Sequence, residues 1–183
     1  THRVIAARRK HRQSRRHPRN RRRRVSVLVT HGETVLLVDT GADLREQLLS
    51  ARVARLDGVF ITHDHADHSH GIDDLRQVFH AMGRPVPCFA APHTWDVLTR
   101  RFDYVFQGAD FYPATCTATD LDGPLDIGDI RITPFPQLHG GLESTGLRFE
   151  AAGRAMAYST DVKDFDDRAE AALTGLDLWV VDA

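Results

Sequence analysis

Cysteine is nearly absent from this 183-residue chain: only Cys88 and Cys116 are present. Two thiols are too few for a disulfide framework and too isolated for a Cys-only zinc site, so a reducing cytoplasmic location is the default expectation. No run of about 18 apolar residues occurs, which excludes a membrane-spanning helix. The basic N-terminus lacks the apolar segment that follows in a secretory signal. Acid is missing locally. Residues 1–24 hold twelve Lys and Arg and no Asp or Glu, which leaves the other 159 residues with 12 basic side chains against 25 acids, a net of −13.

That division predicts a basic arm over 1–24 and one globular domain over 25–183. Apolar residues make up 42% of the chain, and its length suffices for one sizeable core. Residues 1–17 carry charge without apolar periodicity and are expected to make no packed contact with the domain. Nucleic-acid binding through residues 8–24 is the lesser reading of the arm, because the body it adjoins is acidic. The plainer reading is a disordered or spurious leader with no function.

From Val25 the pattern changes. "VSVLVT" and "TVLLVD" read as a hairpin across His31-Gly32-Glu33. "TGADLREQLLS" reads as a helix that Asp43 would cap, with Glu46 completing a capping-box pair. "LDGVFIT" is a buried strand ending near Thr62. "HGIDDLRQVFHAM" has helical spacing, "VPCFAA" is a strand, and "PHTWDVLTRRF" is a helix entered at Pro92. "LDIGDIRITPFP" and "TGLRFEAAGRAMAYSTD" are strand pairs, "DDRAEAALTGL" a helix, and "DLWVVDA" a final buried strand. Strand pairs alternating with helices predict an α/β domain in which helices cover sheets.

The densest chemistry lies in "FITHDHADHSHGIDDLR", residues 60–76, where His63, His65, Asp67 and His68 fall within six positions. At the end of a strand, alternate side chains share a face, so His63 and His65 can converge on one cation. Asp67 and His68 can be turned toward a second point. Imidazole and carboxylate both suit zinc, and two ions about 3.5–4 Å apart suit in-line attack at phosphorus or carbonyl carbon.

"THDHADHSHG" resembles the signature of the metallo-β-lactamase fold superfamily, and the resemblance implies an αββα sandwich. His63 and His65 match the ligands of its first metal, and Asp67 and His68 those of its second. "PFPQLHGG" supplies His139 at the place of the next ligand, and "AYSTD" supplies Asp161 at the place of the bridging carboxylate. With "RNRRRRVSVLV" and "DLREQLL", the motif is most similar to the phosphoribosyl cyclic phosphodiesterases that accompany carbon–phosphorus lyase. The pyrroloquinoline quinone biosynthesis B proteins and the transfer-RNA 3′-processing endonucleases are similar in the metal motif. The resemblance implies two zinc ions, with manganese or iron as alternatives. It implies a metal-dependent hydrolase that attacks a small (cyclic) phosphodiester with hydroxide drawn from water on the metal, Asp67 or Asp161 accepting the water's proton or holding the water in line. Its partners would be a small phosphorylated substrate, no membrane, and a second copy in a homo-oligomer. A thioester, lactone or RNA hydrolase and a non-catalytic metal-binding fragment are the alternatives.

Two departures from the family pattern accompany the resemblance. The Arg-rich arm stands where a Gly-rich first strand is usual. The family also continues past the strand equivalent to "LWVVDA" with another His-bearing motif, so the domain is expected to be incomplete, its second metal one ligand short. Among other polar residues, His70 is expected beside the ligands or at a helix start, and Asp64 to orient the loop or tune an imidazole. His80 and His93 are expected at the surface, Trp95 and Phe102 in the core. Arg100, Arg101 and Arg148 are expected on a solvated face or holding phosphate.

Overall fold

The computed structural model describes residues 23–181. The expectation for residues 1–17 lies outside the described residues, as do most of the basic arm and positions 182 and 183. The first sheet contains β1 (Val27–His31), β2 (Thr34–Val38), β3 (Gly58–Ile61), β4 (Val86–Ala90) and β5 (Cys116–Asp120), side by side in that order. β1 and β2 form the expected hairpin, and β2 to β5 run parallel. The second sheet contains β6 (Leu125–Ile127), β7 (Ile130–His139), β8 (Leu142–Ala151), β9 (Arg154–Ser159) and β10 (Leu178–Val181), antiparallel except for β9 with β10.

Parallel strands require crossovers, and helices supply them. These are α1 (Leu44–Ala51), α2 (Ala66–Ser69), α3 (Leu75–Met82), α4 (Pro92–Arg101) and α5 (Asp103–Gln107) for the first sheet, and α6 (Asp167–Ala172) before β10. Pro92 occupies the first turn of α4, where its missing N–H has no partner to lose. Asp166 caps α6 by accepting from Ala169 N at 2.9 Å.

Side-chain alternation assigns the layers. Leu36, Val38 and Phe60 point between the sheets, where they join Ile132, Leu147, Phe149 and Tyr158. Leu37, Val59 and Ile61 point the other way, onto Leu44, Leu75 and Leu98 of the helices. Phe135 and Ala157 cover the far face of the second sheet together with Ala169 of α6. The result is the expected αββα sandwich. Among the described residues no helix is long and apolar enough to cross a membrane.

Two local expectations need correction, and two elements went unseen. Asp43 stands at the N-cap of α1 but makes no cap bond. Its carboxylate accepts instead from Arg24, from the backbone N at 2.6 Å and a guanidinium nitrogen at 3.0 Å, and Glu46 accepts from Arg45. A guanidinium outcompetes a backbone N–H because both partners are charged. "DLWVV" forms a strand, but not a buried one. Among the described residues β10 has a single neighbour, and Leu178, Trp179 and Val181 are 42%, 43% and 45% exposed. β5 and α5 carry too few apolar residues in period to be seen in the sequence; four of the five β5 residues are exposed.

The end of β2 is locked onto the turn after α2. Thr40 N donates to His68 O at 2.7 Å, and Gly71 N donates to Thr40 O at 2.6 Å. A Cβ on Gly71 would lie 2.1 Å from Gly41 O, closer than any real contact, so this approach demands glycine. Gly71→Ala is therefore expected to destabilise the fold by about 1–3 kcal/mol, as overpacking does. Gly123, whose Cβ would meet nothing within 4 Å, should tolerate alanine almost without change. Urea denaturation of the two variants makes the comparison.

Candidate metal centre

β3 ends at Ile61, and the next residues turn across the open end of the sandwich. Thr62 and His63 are almost fully buried, His65 stands at the N-cap of α2, and Asp67 and His68 lie on α2 itself. His139 is the last residue of β7. Asp161 lies two residues beyond β9 with a left-handed backbone, φ 49°.

All six expected residues come together. One donor atom each of His63, His65, His139 and Asp161 lies within 4.8 Å of the others, and the same holds for Asp67, His68 and Asp161. Asp161 Oδ2 is common ground: it is 3.6 Å from His63 Nε2, 3.7 Å from His139 Nε2 and 3.3 Å from His68 Nε2. His139 Nε2 and His65 Nδ1 are 3.4 Å apart. An ion bonded at about 2.0–2.2 Å to four tetrahedral donors would hold them roughly 3.3–3.6 Å apart, so the spacing fits a cation. A second observation agrees. His63 Nε2 is buried with no hydrogen-bond partner, which leaves its lone pair directed at the shared space.

The imidazoles are aimed by a buried relay that the sequence reading did not single out. Asp39, fully buried at the end of β2, accepts from Thr62 N at 2.9 Å and from Thr62 Oγ1 at 2.9 Å. Its other oxygen is 2.8 Å from His68 Nδ1, and Thr62 Oγ1 is 3.1 Å from His63 Nδ1. With each Nδ1 held this way, Nε2 of both rings faces Asp161 and the space between the donors. The only trace in the sequence was an acid closing the apolar run "TVLLVD".

Charge follows from this arrangement. Burial pulls the His68 pKa down, but Asp39 and Asp161 more than reverse it, and it is pushed up to about 10. His63 and His68 hold the Asp161 carboxyl well below the usual carboxylate range. Burial lowers His139.

The remaining polar residues are placed as follows. Asp64 orients the loop through Arg101 rather than through an imidazole. Exposed His70 has its ring against Phe102, with centroids 5.4 Å apart, and lies outside both donor groups. Arg148 donates to the Ala172 and Thr174 carbonyls at the end of α6, so it does not serve the site. His80 and His93 are exposed, and Trp95 is core.

The model of the beta-lactamase superfamily domain matches residues 34–183. The chain belongs to that family. The chain is 33% identical over 150 residues to an octanoyltransferase of Porphyromonas gingivalis, which covers 79% of this chain and 29% of that protein. It is 29% identical over 142 residues to ribonuclease Z of a Bradyrhizobium species, covering 75% and 47%. Among solved structures, a diphosphatase of the PhnP family superposes with a TM-score of 0.79 at 32% identity, covering 91% of this chain and 62% of that one. Zinc-bound PqqB of Methylobacterium extorquens superposes with a TM-score of 0.67 at 20% identity, covering 88% and 60%, and shows the shared fold. The chain thus spans 29–47% of these two curated relatives and 62% of the diphosphatase. As a beta-lactamase superfamily domain it places its His/Asp cluster at the end of the sandwich where β3, β7 and β9 finish.

Between pH 6.5 and about 10 the folded, metal-free chain keeps a proton on His68 that the unfolded chain has released. That stabilisation is complete below pH 6.5 and is lost as pH rises toward 10. The lowered His139 acts in the opposite sense below that window. Urea denaturation after chelation is expected to show a lower midpoint at pH 10 than at pH 6.5, and Asp39→Asn should flatten the difference.

Proposed function

We propose that this domain is a metal-dependent hydrolase of small phosphodiesters, with cyclic phosphodiesters as the preferred class. The observation that carries the reading is the position of Asp161, which belongs to both donor groups. One carboxylate between two sets of donors favours two ions side by side. His63, His65, His139 and Asp161 would hold the first, and Asp67, His68 and Asp161 the second. Zinc suits these nitrogen and oxygen donors, with manganese or iron as alternatives. When bound, such ions acidify coordinated water and offset charge on phosphoryl oxygens.

The chain's own groups set the rest. Thr62 and Asp39 hold Nδ1 of His63 and His68, so that Nε2 of each ring faces Asp161. Exposed Asp67 and half-buried Asp161 are the candidate proton acceptors, and they can hold an attacking water in line. Of the arginines weighed for holding phosphate, Arg101 is occupied by Asp64 and Arg148 by the end of α6, while Arg100 is exposed on α4. The names diphosphatase and ribonuclease, carried by two of the relatives, both denote cleavage at phosphorus. The octanoyltransferase name belongs to a protein of which this chain spans 29%.

The test is turnover of bis(p-nitrophenyl) phosphate and of a ribose cyclic phosphodiester by the chain reconstituted with zinc, manganese or iron. Metal-dependent hydrolysis is expected. It should be abolished by chelation and reduced by roughly 100-fold or more in Asp161→Ala. Hydrolysis of a thioester or lactone, with neither phosphodiester cleaved under any metal, would overturn the reading.

A further inference from the structure

We infer that helix α4 braces the candidate metal centre, with Arg101 and His93 as positioning residues for the donors contributed by His65 and His139. The inference rests on the metal reading of the site.

The two well-tied imidazoles do not need such help. His63 and His68 each have Nδ1 fixed, to Thr62 and to Asp39. Among the described residues His65 and His139 have no comparable tether. Their ring nitrogens face each other at 3.4 Å, and His139 faces Asp161 at 3.7 Å. The aim of these two rings is therefore set by the backbone that carries them; α4 holds the loop before His65 directly and the strand of His139 through its ladder partner on β8. At its last residue, one Arg101 nitrogen donates to the Asp64 carbonyl at 2.6 Å and another to the Asp64 carboxylate at 3.0 Å. Asp64 lies between His63 and His65. Near the start of the helix, His93 Nε2 is 3.2 Å from the Glu143 carbonyl, to which it would donate. Glu143 pairs with Leu138, one step along the ladder from the His139–Leu142 pair.

A brace must itself be fixed, and α4 is. Trp95 is buried and donates through Nε1 to Thr119 O at 2.8 Å, and Leu98 is fully buried. The helix belongs to the layer on the first sheet, whereas His139 comes from the second. The His93 bond therefore joins the two ligand-bearing halves. Both bonds are solvent-exposed, and exposed pairs add little to global stability. Their effect should appear in metal affinity, where loss of an outer partner typically costs 10–100-fold.

The experiment is a Co(II) titration of the full chain, followed by visible absorption, alongside thermal melting of the metal-free protein. Arg101→Ala and His93→Ala should each bind Co(II) about tenfold more weakly, with a shifted visible band and an unchanged metal-free melting temperature. Arg101→Lys, a single point charge that cannot make both bonds, should fall between. His93→Gln, whose amide N–H can reach the same carbonyl, should restore affinity. Wild-type affinity and spectrum in both alanine variants would overturn the brace, as would a loss of affinity that tracks a lower metal-free melting temperature. If the wild-type chain takes up no Co(II), the metal reading fails and the brace falls with it.

Discussion

The carboxylate of Asp39 is the contact on which the rest of the centre depends. It is fully buried and makes three close contacts, with Thr62 N, Thr62 Oγ1 and His68 Nδ1. A buried carboxylate is tolerable only with such partners. Its demands fix the register of the strand ends: β2 must finish beside β3, and α2 must fold back far enough to deliver His68. The backbone reinforces this, since Asp39 N donates to Phe60 O and Thr40 N to His68 O. The same bonds that complete the fold choose which nitrogen of His63 and His68 faces the open space. In this sandwich, the contacts that complete the first sheet also orient two of the six donors, His63 and His68.

The second sheet contributes differently. His139 and Asp161 arrive at the ends of β7 and β9, and no buried relay holds them. Asp161 is kept in a left-handed conformation that non-glycine residues seldom adopt. The neighbouring chain fixes it, because Leu138 and Asp164 form a bridge just beyond it, with Lys163 N donating to Leu138 O at 2.7 Å. Strain at a carboxylate serving two donor groups is a common feature of functional sites.

Much of this was legible in the sequence because the signals were local. Four potential donors within six residues, directly after an apolar run, located the end of β3. The hairpins at Gly32 and Gly153 marked themselves by turn chemistry. Helices covering sheets followed from strand pairs alternating with helical spacing, and the αββα order of layers from the resemblance. What was missed depends on tertiary partners. Nothing local distinguishes Asp39 from any acid closing a strand, and Thr62 gains its role only when Asp39 and two imidazoles surround it. Asp43 read as a helix cap until Arg24 took its carboxylate. β10 read as buried because its apolar composition does not reveal that, among the described residues, it has a neighbour on one side only.

The order of strands has a further consequence. Each sheet is built from one uninterrupted stretch of chain, the first from 27–120 and the second from 125–181, and they meet through a linker at 121–124. The candidate donors are drawn from both stretches. A bound ion would therefore act as a cross-link between two successive halves of the polypeptide, and docking of the halves and uptake of metal would be a single linked equilibrium.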